Sequence, residues 1–258
     1  MAVFWLILGL IIGSFLNVLI LRLPEGKSLL GFSKCPRCNK RISWFDNIPV
    51  LSFFILAGRC RNCRARISGQ YPIVEISNGL LFFFLFSVYG GNQSLLIFLL
   101  FLVSLLLAIG LVDFRKLVIP HSLLLTGLIA TILFFVFGFT DCGVLSCSVL
   151  SSLAGILFFA GVFLAIYLFS RGKWIGFGDV KLAALLGLIF GLEKSINIFY
   201  LAFLFGFAIA IIMLGSGRAG LKTKVPLGAL LAAAVILFLL TGFNLLDLMN
   251  SELIFRLY

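Results

Sequence analysis

Long uninterrupted apolar runs constrain this chain more than any other feature. Eight are discernible, at residues 3–21, 72–88, 94–112, 122–138, 147–169, 180–192, 195–214 and 227–246. A helix needs ~20 apolar residues to cross the hydrocarbon layer of a membrane. The runs therefore predict an all-α polytopic membrane protein of about eight transmembrane helices. The second run is marginal and the sixth is short, so the sixth is expected to be tilted or buried among its neighbours. Composition agrees. The chain is 62% hydrophobic and 11% charged, where soluble domains sit near ~45–50% and ~25%. The first run starts at Val3 without a small-residue cleavage site and polar sequel, so it reads as a retained span and not a removed signal.

The formal net charge is +11, which raises nucleic acid as a partner. Its distribution points to topology instead. Ten Lys and Arg residues, from Arg22 to Arg66, fall between the first two runs. Arg115 and Lys116 follow the third run, Arg171, Lys173 and Lys181 flank the fifth and sixth, and Arg218, Lys222 and Lys224 precede the eighth. Only Lys194 and Arg256 fall on the other side. Cytoplasmic loops carry the excess of Lys and Arg, so the N-terminus is expected outside and the basic connections inside. The basic face then meets anionic lipid, and no nucleic acid is expected as a partner.

Residues 22–71 form the one sizeable polar segment. It holds two Cys-x-x-Cys pairs, Cys35 with Cys38 and Cys60 with Cys63, 21 residues apart. Two such pairs suit a tetrahedral four-thiolate zinc site. Nearby cations help, because four thiolates around one Zn²⁺ leave a net negative charge. A disulfide pair and a thioredoxin-like redox motif are the alternatives. A reducing compartment argues against the first, and the second lacks a βαβ pattern. A closed set of four protein ligands makes the metal structural, and a loop this small needs it. Cys142 and Cys147 read either as inert apolar fillers or as a disulfide in an oxidising compartment.

Nine acidic residues are present. Two of them, Asp113 at the end of the third run and Asp179 at the start of the sixth, are expected at the same membrane boundary. Ionisable groups there are functional candidates. Paired carboxylates suit peptide hydrolysis: one, ionised, accepts a proton from water while the other, neutral, donates to the carbonyl oxygen or leaving amine. At ~3 Å apart they share one proton. Gly176 and Gly178 would allow a close approach of backbone to that site. The structural alternative makes Asp179 a helix N-cap and pairs Asp113 with Arg115 or Lys116. Helix dipoles favour charge on Asp179 and the neutral acid on Asp113, although the pair titrates jointly.

These segments resemble the prepilin peptidase family, membrane aspartic proteases of the Gly-x-Gly-Asp type. The resemblance rests on GSFLNVLILRLP (13–24), the cysteine loop from Cys35 to Glu75, DFRKLVIP (113–120) and GFGDVKL (176–182). VPLGALLA (225–232) is similar to a last-helix signature usually richer in Phe and Pro, and His121 stands where Asp or Asn is common. His121 reads as a structural or solvated histidine. The resemblance implies cleavage of a basic leader from type IV prepilins or type II secretion pseudopilins after a glycine. It makes Asp113 and Asp179 the catalytic pair. In members with the cysteine loop it also implies S-adenosylmethionine-dependent methylation of the new N-terminus. No Gly-rich strand-to-helix turn marks a donor site, and Glu75 is the candidate acid beside it. The chain then divides into a first helix (1–21), a cysteine-loop domain (22–71) and a membrane peptidase domain (72–258), in the bacterial inner membrane. Anionic lipid, or Glu25 and Asp46, would take the basic leader. A proton- or ion-coupled transporter and a non-catalytic zinc-loop scaffold are the rival readings. The first predicts acids near the bilayer centre and internal repeats, and the second predicts that Asp113 and Asp179 are dispensable.

Overall fold

A computed structural model of the chain describes residues 1–137, 144–146, 148–215 and 226–242. Cys142, Cys147 and the last residues of the eighth run lie outside them. Among the described residues the protein is all helical, with only two isolated β-bridges. The helices are α1 (Ala2–Arg22), α2 (Leu51–Ile55), α3 (Gln70–Tyr89), α4 (Gln93–Lys116), α5 (His121–Val136), α6 (Val149–Ser170), α7 (Phe177–Gly215) and α8 (Leu227–Thr241). Five are long and apolar enough to cross a membrane, and α5 and α8 are shorter apolar helices. The chain forms two compact units, residues 1–108 and 109–258, and α4 passes from the first into the second.

In the first unit α1 and α3 pack antiparallel. Asn17 donates from its amide to the Tyr71 carbonyl near one end, and Trp5 stacks on Phe86 near the other. Gly9 and Gly13, four residues apart, make the close approach possible, as small residues do between membrane helices. A Cβ on Gly9 would sit 2.8 Å from the Gly79 Cα, and one on Gly13 would sit 2.7 Å from the Glu75 Cα. Asn78 donates to the Gly9 carbonyl at 2.8 Å and accepts from the Ser104 hydroxyl at 3.0 Å. This chain of polar contacts satisfies groups that lipid cannot.

In the second unit Pro120 and Pro226 precede α5 and α8, and Ser148 caps α6 by accepting from the Ser151 N–H. The sixth and seventh apolar runs form two helices, as expected, joined within α7 at Gly191 (φ 70°, ψ −174°) with no longer connection between them. The chain turns back there. Gly178 lies near the start of α8, since both Gly178 and Gly228 pack on Ile119. Phe190 meets Phe238 near the end of α8, and Gly206 faces Leu230 near its start again. The α6 contacts agree: Gly187 and Gly191 lie against Gly155, while Phe199 returns to Phe159 and Phe163. α7 thus supplies two passes, which recovers the eight expected. The first pass, ending at Phe190, is about 20 Å long at ~1.5 Å per residue. It is short, as the sixth run predicts, and Leu182, Ala183, Leu186, Ile189 and Phe190 are buried.

Candidate active site and metal centre

Asp113 lies in the last turn of α4 and is 5% exposed. Its Oδ2 accepts the Ala229 backbone N–H at 3.2 Å, so the start of α8 closes on it. Gly228 permits this contact, because a Cβ there would stand 3.0 Å from Asp113 Oδ2 and 3.0 Å from Ile119 Cδ1. Asp179 is the third residue of α7. Its Oδ2 reaches back to accept the Gly176 N–H at 3.0 Å, the geometry of an acidic residue closing a helix start. Its Oδ1 is buried and has no hydrogen-bond partner among the described residues. A Cβ on Gly178 would stand 3.2 Å from the Ile119 Cβ. Ile119, from the α4–α5 turn, is therefore the wedge on which both aspartate segments and the α8 start converge. The two carboxylates interact electrostatically.

The helix-end alternative is only half present. Asp179 does close its own helix, but with one oxygen. Asp113 makes no ion pair with Arg115 or Lys116; the ion pairs among the described residues are Lys27–Glu25 and Arg61–Asp46. Lys181 lies over the Phe177 ring at 5.1 Å. The dipole argument for a charged Asp179 and a neutral Asp113 loses its force, because the fold brings a helix N-terminus to each carboxylate. His121, the first residue of α5, is exposed.

Sequence reasoning missed Ile119, Gly228 and Ala229 as part of this site. The PLGA stretch at 226–229 carried the signal, a proline and a glycine at the start of an apolar run. Nothing in it named Asp113 as the partner, 116 residues away.

In the first unit, Glu75 is 6% exposed. Its Oε2 accepts the Val50 N–H at 2.7 Å.

The four loop cysteines come together, all Sγ atoms lying within 4.8 Å of one another. Two matching turns position them. Cys35 N–H donates to the Lys40 carbonyl and Asn39 N–H to the Cys35 carbonyl. Cys60 pairs in the same way with Ala65 and Arg64. The bridges Lys34–Arg41 and Arg59–Arg66 close the turns, and Asn39 and Arg64 hold matching positive φ values of 55° and 59°. All four thiols are free. Cys35 and Cys63 are 3.8 Å apart, the edge of about 3.8 Å that a tetrahedron with ~2.3 Å metal–sulfur bonds requires. The cluster fits one metal ion. The backbone N–H groups of Cys38 and Arg37 hold the Cys35 thiol down at about 6. Cys63, although the Ala65 N–H favours its thiolate, is pushed up to about 11 by desolvation and by the sulfurs of Cys38, Cys35 and Cys60.

The bacterial Peptidase A24 N-terminal domain matches residues 7–89, and the Type IV leader peptidase family matches residues 100–211. Three proteins, each named prepilin leader peptidase/N-methyltransferase, are similar over most of the chain. The Myxococcus xanthus protein is 36% identical over 86% of this chain and 66% of its own length. The one from Burkholderia pseudomallei strain 1026b is 32% identical over 94% of this chain and 87% of its own. The Pseudomonas putida protein is 32% identical over 92% and 89%. No solved structure matches the chain. With its N-terminal and peptidase segments both matched and relatives above 30% identity along most of its length, the chain belongs to the Type IV leader peptidase family.

Proposed function

We propose that the protein is a membrane aspartic endopeptidase that removes the basic leader of type IV prepilins or type II secretion pseudopilins after a glycine, and then methylates the new N-terminus. Family membership and the names of the relatives support the reaction. The observation that carries the site is the convergence on Ile119 of Gly178, which precedes Asp179, and Gly228, which faces Asp113, with Asp179 Oδ1 buried and unpartnered among the described residues.

In this reading the dyad holds one proton. Water attacks the scissile carbonyl carbon, and its proton passes to the ionised carboxylate. The neutral carboxyl group protonates the carbonyl oxygen. The resulting diol then returns a proton to the dyad as the C–N bond breaks and the leaving nitrogen takes another. The dyad ends as it began, with one shared proton. The Ala229 and Gly176 N–H groups orient one carboxylate each, and Gly176 and Gly178 leave room for substrate backbone.

The Lys- and Arg-rich connections support a site on the cytoplasmic side of the bacterial inner membrane. Glu25 is paired with Lys27 and Asp46 with Arg61, so we assign the basic leader to anionic lipid. The cysteine cluster is a structural zinc site, with four sulfur ligands and none left over for a substrate. The methyl donor would be S-adenosylmethionine, with Glu75 as the acid beside it. The groove of about 450 Å³ in the first unit does not fit that donor. It offers the Asn47 amide and the Trp44 indole among hydrocarbon, too little for an adenine, a ribose and an amino-acid end, and Glu75 Oε2 is already engaged.

The test is prepilin cleavage in vesicles by wild type, Asp113→Asn and Asp179→Asn, with mass spectrometry of the mature N-terminus. Each variant should lose cleavage and keep its helical content. Cleavage at the wild-type rate by either variant would end the dyad assignment.

A further inference from the structure

The polar loop between α1 and α3 carries an apolar stretch, Trp44–Ile55, that does not stay at the loop's end of α1. Its Val50 N–H bonds Glu75 Oε2 at 2.7 Å, and Glu75 packs against Gly13 of α1. Gly13 lies nine residues before Arg22, roughly 13 Å along the helix at ~1.5 Å per residue. The stretch reaches further still. Trp44, Asn47, Ile48 and Pro49 share a groove with Ile7, Leu10 and Ile11, and Ile11 is about 16 Å from Arg22 on the same scale. Half of a hydrocarbon layer is ~15 Å. The segment thus lies beside the membrane-crossing part of α1.

Its outward side is hydrocarbon. Trp44 is 81%, Phe54 67% and Ile55 68% exposed. Trp44 lies beside Ile7 and Ile11 of α1, which with Phe15 are about half exposed. An apolar surface at this depth, continuous with the outward face of a spanning helix, meets acyl chains. The charges nearby compensate each other: Arg61 clasps Asp46 through three hydrogen bonds, as charges near a bilayer pair with one another.

The carboxylate is what pins the element. Val50 has φ 62° and ψ −51°, close to the strained γ-turn region and costly for a β-branched residue. Its N–H points at Glu75. We propose that Trp44–Ile55 is a membrane-inserted element, seated among lipid acyl chains beside α1 and locked at its depth by the Val50–Glu75 hydrogen bond. The metal-binding turns on either side of it are thereby tethered to the bilayer.

Photolabelling tests this on the wild-type protein in phosphatidylcholine vesicles that contain a lipid with a mid-chain diazirine. Trypsin cuts after Arg41 and Arg59 and releases 42–59 as one peptide. That peptide should label within twofold of peptides from α1, and a water-soluble diazirine should label it at least fivefold less. Glu75→Gln keeps an acceptor for Val50 and should keep the acyl-chain label, whereas Glu75→Ala should lower it at least fivefold. Background acyl-chain labelling of 42–59 in the wild type, or preferential labelling by the soluble probe, overturns the insertion. Equal labelling in Glu75→Ala and wild type overturns the lock.

Discussion

Gly228 offers the sharpest test of how the second unit builds its site. In Gly228→Ala the new Cβ would stand 3.0 Å from Asp113 Oδ2, 3.0 Å from Ile119 Cδ1 and 3.2 Å from Asp113 Cγ. These contacts are short by a few tenths of an ångström, so the carboxylate must move. The Ala229 N–H bond to Oδ2 is already 3.2 Å long, near the upper limit of ~3.2 Å for a good N–H···O contact. A further shift of a few tenths breaks it. A hydrogen bond to a charged group contributes ~1.5–3 kcal/mol, and ~1.4 kcal/mol is tenfold in rate, so kcat should fall roughly 10- to 150-fold. KM should hold, because Gly228 faces the carboxylate. The assay is initial-rate prepilin cleavage in vesicles over a range of substrate. Gly161→Ala is the control, since a Cβ there meets nothing within 4 Å and alanine favours a helix. A folded Gly228→Ala enzyme with kcat within twofold of wild type would refute the reasoning.

Four further outcomes are expected. Cys35→Ser with Cys38→Ser should abolish stoichiometric zinc binding, measured by metal analysis of the purified protein, and loosen the loop to proteolysis. Zinc affinity of the wild-type cluster should rise with pH, because ligand thiols must lose protons; Cys63, pushed up to about 11, still holds its proton at neutral pH. Competition with a chromophoric chelator should show about a tenfold change per pH unit for each proton released. Gly187→Val would drive a side chain into the Gly155 backbone and should destabilise by ~1–3 kcal/mol or more, read as a lower midpoint of thermal aggregation. His121→Ala should leave cleavage within about twofold, since exposed positions away from special features tolerate change.

Much of this architecture is legible in the sequence because it is local. Apolar runs locate the helices, the Cys-x-x-Cys pairs locate the metal turns, and scarcity singles out Asp113 and Asp179. What is not legible depends on distant segments meeting. Residues 180–192 and 195–214 read as two spans and form two helices, but the run lengths do not reveal that the single residue Gly191 makes the turn between them. The hold of α8 on Asp113 joins residues 116 apart, and a start of α8 at 227 says nothing of what it faces. Glu75 reads as an acid near a helix start. Only the folding back of Val50 across 25 residues gives it a partner.

The turn at Gly191 fixes more than the course of the chain. Lys194 ties it down by donating to the Leu145 carbonyl at 2.7 Å, and the helix from Phe190 back to Asp179 has no break. That rod sets both the height and the compass bearing of the carboxylate, as the shank of a key sets its bit. Adding a single residue to it would lift Asp179 by ~1.5 Å and swing it by about 100°, away from Ile119. Side chains on the rod can vary where they do not pack as Gly187 does on Gly155, but its length cannot.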